Sequence, residues 1–144
     1  MKSEQHFDGK VAQKAVIVRG DGRVLVMRDP RGGNEALWEL PGGRLNEGEV
    51  PEEGLAREIR EELGIAVVVG AVVYVTQFYQ HSEQRNALMI AYLATMVDEA
   101  AELVLEEGEV AEVKWVGKED WERLQYFPEY AETLRRYFGQ VETL

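Results

Sequence analysis

The chain has 144 residues, no cysteine, and a formal net charge of −11 from 27 acidic and 16 basic side chains. That length suits one domain spanning residues 1–144, its 45% hydrophobic content is that of an ordinary globular protein, and the missing cysteines exclude a disulfide scaffold or a thiolate metal site. The acidity disfavours nucleic acid or an anionic membrane as partner, no apolar run could span a bilayer, and Met1 to Lys10 carries no basic-then-apolar leader, so a cytoplasmic protein is expected.

Residues 11–19 (VAQKAVIVR) and 23–27 (RVLVM) read as strands joined through Gly20-Asp21-Gly22, a good hairpin signal, and residues 29–34 as a polar loop. Trp38 to Gly43 is a short apolar run ending in a turn, where Gly42 and Gly43 let backbone carbonyls approach an ion or a phosphate. A helix follows. Pro51 fits its first turn, Glu52 and Glu53 favour its positive end, Gly64 suits its stop, and Leu55, Ala56, Ile59 and Leu63 form a stripe to bury. Gly54 costs that helix about 1 kcal/mol relative to alanine and marks a close-packing point.

Residues 65–78 are β-branched and predict two short strands or one long strand bent around Gly70. Residues 79–85 form a polar tip, 86–96 another strand, and 110–116 a last strand with Glu112 and Lys114 pointing outward. Residues 118–125 and 129–138 read as helices, making a C-terminal helical segment of about 118–138. The pattern of elements predicts an α/β fold, a mixed sheet with helices on both sides. His6 and His81 are isolated, and the aromatic tail, Trp121 to Phe138, has spacings suited to packing a helix or a dimer partner.

Glu58, Glu61 and Glu62 stand at i, i+3 and i+4 and project from one helix face within a turn. Like charges so placed repel unless a cation lies between them, and hard carboxylate oxygens suit magnesium or manganese. A merely acidic surface helix would explain the charge but not Gly43, Glu49, Arg57 and Gly64 at their spacings. A chain this acidic repels polyphosphates, so a phosphate-bearing ligand would come in with a divalent cation.

The run Gly43, Glu49, Arg57, Glu58, Ile59, Glu61, Glu62, Gly64 and Ile65 fits the pattern G-x5-E-x7-R-E-U-x-E-E-x-G-U, with U a bulky aliphatic residue, and resembles the signature box of the Nudix hydrolase family at every position. The resemblance implies the α/β/α sandwich of that family. It implies hydrolysis of a nucleoside di- or triphosphate derivative by water attack at phosphorus, with Mg2+ as cofactor and Mn2+ able to substitute. Glu58 and Glu62 are then the first candidates for metal ligands, with Glu61 a ligand or the base that takes the proton from water. A carbonyl of Gly42 or Gly43 completes the shell. Arg57 pairs with Glu49 to orient loop and helix, or touches phosphate. An additional acid before the last strand falls to Glu109, with Glu106, Glu107 and Glu112 crowding the same stretch.

Arg28, Trp38 and Phe78 are the candidate substrate contacts, with Tyr79 beside them, and core packing is the alternative for the aromatics. The box region looks much like that of MutT-like nucleoside triphosphatases. The oxidised-purine branch reads its base with a C-terminal asparagine, and no asparagine follows Asn86 here; the Arg28-Asp29 pair also departs from it. Homodimers are common in the family. Two other functions share this fold: a non-catalytic nucleotide-sensing module, which often loses box glutamates, and an isoprenyl diphosphate isomerase, which wants an active-site cysteine. This chain keeps the former and lacks the latter.

Overall fold

The structure, a computed structural model, describes residues 4–142. Nine elements follow in chain order: strands β1 (Gly9–Val18), β2 (Val24–Arg28), β3 (Trp38–Glu39) and β4 (Gly42–Arg44), helix α1 (Pro51–Leu63), strands β5 (Val67–Gln80), β6 (Arg85–Met96) and β7 (Glu112–Val116), and helix α2 (Pro128–Glu142). None of the helices in the described residues is long and apolar enough to cross a membrane.

The seven strands make one mixed sheet in the order β3-β2-β1-β6-β5, with β4 paired to β1 and β7 to β2. β1 runs parallel to β6 from Gly9 opposite Asn86 to Val18 opposite Thr95, every other pairing between these strands is antiparallel, and an isolated parallel bridge joins Trp38 to Tyr126. Strand periodicity divides β1 between two layers. Ala15 and Ile17 join Leu25 and Met27 beneath Leu55, Ile59 and Leu63 of α1, while Val16 joins Val24, Val26, Trp121, Tyr130, Leu134 and Phe138 on the α2 side. The α/β/α sandwich is thus present. Leu55, Ile59 and Leu63 are fully buried, each worth about 1.5–3 kcal/mol.

Helix α1 begins at Pro51 and ends where Gly64 turns left-handed at φ 68° and returns its N–H to Arg60 O at 2.9 Å. The next orphan carbonyls are also met, Leu63 O by Val104 N–H and Glu62 O by Glu106 N–H, both at 2.9 Å. Gly54 is the expected close-packing point: a Cβ there would stand 2.6 Å from Glu49 Oε1.

The hairpin through residues 20–22 is present, closed by Arg19 N–H to Arg23 O at 2.9 Å. Residues 65–78 resolve to one long strand, β5, with register shifts between Val69 and Val72 and between Val72 and Tyr74. Three expectations need correcting. The polar loop at 29–34 is largely a 3-10 helix, Pro30–Glu35, because Asp29 caps it through Arg31 N–H at 2.7 Å and proline opens it. The strand expected from Val110 begins at Glu112, since the amides of Glu109 and Val110 turn back to Glu106 O. Residues 118–125 are not an α-helix: only a 3-10 turn forms at Trp121–Arg123, because Asp120 bonds back to Gly117 N–H at 2.7 Å and to Arg23. The tail aromatics Trp121, Tyr130 and Phe138 pack into the chain's own α2-side core.

Candidate active site

The loop between β4 and α1 is held against the helix by one arginine. Arg57 donates from Nε to Glu49 Oε2 at 2.8 Å and from Nη2 to Glu49 Oε1 at 3.2 Å, a bidentate pair. Its Nη1 lies 3.2 Å from both Glu58 Oε1 and Glu61 Oε1. Glu49 also accepts Asn46 N–H at 3.1 Å, and Arg57 first, then this amide, hold its carboxyl below the usual range. The Glu49–Arg57 contact expected from the box is therefore present.

Glu58 lies directly on β4: a Cβ added to Gly43 would stand 2.5 Å from Glu58 Cδ and 2.6 Å from its Oε2. Gly42, at φ 141°, is fixed as glycine from the other side, since a Cβ there would strike Gln13 O. Glu62 Oε1 accepts Gly42 N–H at 2.8 Å. Burial pushes the Glu62 carboxyl up to about 7, against the pull of Lys14 and of that amide and with the push of Glu58 and Glu39.

Among the described residues no three acidic groups converge into a ready-made cation cage. The reason is local. Glu62 takes an amide, while Glu58 and Glu61 share Arg57. The donor set nevertheless fits a hard divalent cation such as magnesium: three carboxylates within one turn, all offering hard oxygens.

On the α2 side of the sheet a cavity of about 640 Å³ is lined by Gly43, by Phe78, Tyr79 and Phe127 and by Lys14, and not by Glu58, Glu61 or Glu62. Lys14 of β1, only 9% exposed, stands in it with Nζ 4.0 Å from Glu39 Oε1 and 5.5 Å from the centre of the Tyr130 ring. Burial opposes its charge, but Tyr130, Glu39 and Glu62 outweigh burial and keep the ammonium protonated above its ordinary range. Burial pushes the Glu39 carboxyl up and Lys14 draws it back part of the way.

The expected residues are not all brought together. Glu58, Glu61, Glu62, Gly42, Gly43 and Arg57 form one cluster with Glu49, and Phe78 lines the adjoining cavity. Arg28 instead pairs with Glu112 and lies 5.0 Å over the Trp38 ring, and Trp38 is 5% exposed in the α2-side core. Neither lines the cavity. Glu109 sits on an exposed turn and pairs with Arg31 at 3.3 Å. His81 lines the cavity, edge-on to Tyr79. Lys14, Glu39 and Tyr130 were missed. The available signal was the polar pair Gln13-Lys14 in the middle of a mostly apolar strand.

The sandwich and the acidic helix with its paired glycines are those of a Nudix domain. The chain belongs to the Nudix hydrolase family, whose NUDIX domain model matches residues 10–137. It is 51% identical over 59 residues to a MutT-like protein of Streptomyces ambofaciens, a match covering 41% of this chain and only 36% of that protein's length. It is 32% identical over 113 residues to the nucleoside triphosphatase NudI of Escherichia coli O139:H28, covering 72% of this chain and 79% of NudI. The crystal structure of a MutT protein from Methanosarcina mazei Go1 superposes with a TM-score of 0.77 at 26% identity, covering 98% of this chain and 100% of that one.

Proposed function

We infer that this chain, acting as one domain, is a magnesium-dependent hydrolase that cleaves a pyrophosphate linkage in a nucleoside di- or triphosphate derivative by water attack at phosphorus. One observation carries the reading: Gly43, against which the carboxylate of Glu58 lies, also lines a cavity of a size that suits a nucleotide. The likeness to a nucleoside triphosphatase over 72% of the chain supports it.

In this reading Glu58 and Glu62 hold the cation, with a carbonyl of Gly42 or Gly43, and manganese substitutes for magnesium. A bound magnesium ion supplies neutralisation of phosphoryl charge and a water of lowered pKa. Glu61, its side chain half exposed, accepts the proton of the attacking water. Arg57 keeps the helix in register with the loop through Glu49, so that loop and carboxylates move as one unit. Glu109, on an exposed turn beside Arg31, stands in this reading as the additional acid before the last strand. A cysteine-free, acidic chain fits a cytoplasmic setting.

The test is a panel of nucleoside triphosphates, sugar nucleotides, dinucleoside polyphosphates and ADP-ribose, assayed for phosphate, pyrophosphate and monophosphate with magnesium and with chelator. Turnover that chelator abolishes is the expected result. Tight binding with no turnover across the panel would overturn it in favour of the nucleotide-sensing module.

A further inference from the structure

Helix α1 faces β1, β4 and the loop before it with one row of residues, Pro51, Gly54, Glu58 and Glu62, spaced three or four apart. Hydrogen bonds fasten both ends of that row. At the far end Gly42 N–H reaches Glu62 Oε1 at 2.8 Å, and at the near end Gln13 of β1 donates from Nε2 to Pro51 O at 2.7 Å. Among the described residues these are the hydrogen bonds that join α1 to β1 and β4.

Gln13 is 1% exposed, and an amide is buried so completely only where its bonding matters to the fold or the site. It stands in strand register opposite Gly43, the residue against which the Glu58 carboxylate lies, and its own carbonyl is what a Cβ at Gly42 would strike. One residue of β1 thus sets both the glycine pair and the first turn of α1. Glu58 follows Pro51 by seven residues, two turns along the same face and about 10 Å away, so a slide at Pro51 is carried by the helix to that carboxylate. The two fastenings also differ in kind. Glu62 is a proposed cation ligand, so its bond to Gly42 competes with loading, whereas Gln13 serves no ligand and its bond is independent of loading.

We propose that Gln13 is a positioning residue of the carboxylate site: through Pro51 it holds Glu58 in register with Gly43. The effect on turnover rests on the hydrolase reading above. Gln13→Met keeps the length and bulk of the side chain, and Pro51 O still accepts within the helix, so the substitution orphans no group of α1. A bond that only stabilised the fold would then lower the melting temperature and leave the chemistry alone.

The experiment measures kcat and KM at saturating magnesium, below the melting transition, for wild type, Gln13→Met, Glu58→Gln and the double variant. The substrate is the nucleoside triphosphate that wild type turns over fastest, and Mn2+ affinity is measured by calorimetry without nucleotide. Gln13→Met should lower kcat about tenfold or more, since a misplacement of about 1 Å can cost about 10²-fold, while KM stays within about threefold. In the Glu58→Gln background the same substitution should change kcat by less than about threefold, because the charge it positions is gone. Mn2+ should bind Gln13→Met about tenfold more weakly, the usual loss when a group behind a metal ligand is removed. A folded Gln13→Met with wild-type kcat overturns the proposal, as does an equal loss of kcat with and without the Glu58 charge. If wild type binds Mn2+ but turns nothing over, the hydrolase reading fails, and this proposal stands if Gln13→Met weakens Mn2+ binding and falls if it does not. Mn2+ bound no more tightly by wild type than by Glu58→Gln overturns both. Should Gln13→Met not fold, Gln13→Asn, one methylene too short to reach Pro51 O, takes its place, and wild-type kcat there overturns the proposal equally.

Discussion

On one side of Gly43 the box carboxylates come from a single stretch, Glu49 to Glu62, and all but Glu62 touch one arginine; on the other, the cavity wall is gathered from β1, β3, the end of β5 and the start of α2. The first arrangement needs a loop and a helix, while the second exists only once the sheet has formed and α2 has covered it. The difference assigns them different tasks. A local cluster of fixed spacing suits phosphates, which every nucleotide shares. A wall built from distant segments can be altered one residue at a time, and suits the part of a substrate that varies.

The sharpest way to break this division is to discharge the helix side alone. Glu58→Gln combined with Glu62→Gln should cut kcat by about 10³-fold or more, with melting temperature kept, while nucleoside monophosphate binding in the cavity stays within about twofold. Near-normal turnover would remove the carboxylates from the chemistry.

Next in size is a pH effect centred on that side. Burial lifts Glu62 from 4.5 to about 7, so between those values the folded chain binds more protons than the unfolded one. Stability of the metal-free protein should therefore fall as pH rises from about 4.5 to about 7, by at most about 3 kcal/mol, and flatten above. Urea midpoints in chelator at pH 5 and pH 8 give the measurement, and Glu62→Gln should remove most of the difference.

Gly43→Ala tests the boundary itself. Its Cβ would stand 2.5 Å from Glu58 Cδ, so the carboxylate must move, and kcat/KM should fall about 10- to 100-fold with little loss of stability. The smallest change expected is Arg57→Lys, which loses the bidentate hold on Glu49 and should lower kcat about tenfold, leaving the monophosphate affinities of the cavity unaltered.

Legibility in the sequence followed the same boundary. Helix α1 was readable because Pro51, Gly64 and the stripe Leu55, Ile59 and Leu63 act within a few residues of one another, and the Nudix pattern located Glu49 and Arg57. The cavity was not, because an isolated lysine on a strand reads as pointing to solvent; what buries Lys14 is Tyr130, from the far end of the chain. The segment 118–125 failed for a related reason. Trp121 and Leu124 have a helical spacing, yet Asp120 is claimed by Gly117 N–H and by Arg23 from the first hairpin, a contact no window along the chain contains. Arg28 and Trp38 were drawn towards substrate by residue type, whereas the folded chain stacks one on the other at the outer part of the α2-side core.

Arg57 has one further consequence, which concerns the order of events in the life of the molecule. Small metal-built domains stay unfolded until the ion arrives, because nothing else quenches the repulsion among their ligands. Here the polypeptide brings its own counter-ion, a guanidinium moored to Glu49 and shared by Glu58 and Glu61. Ribosomal synthesis can thus deliver a finished scaffold whose acidic helix does not wait on a cation to fold, so in the proposed metal-dependent reading ion binding follows folding instead of driving it.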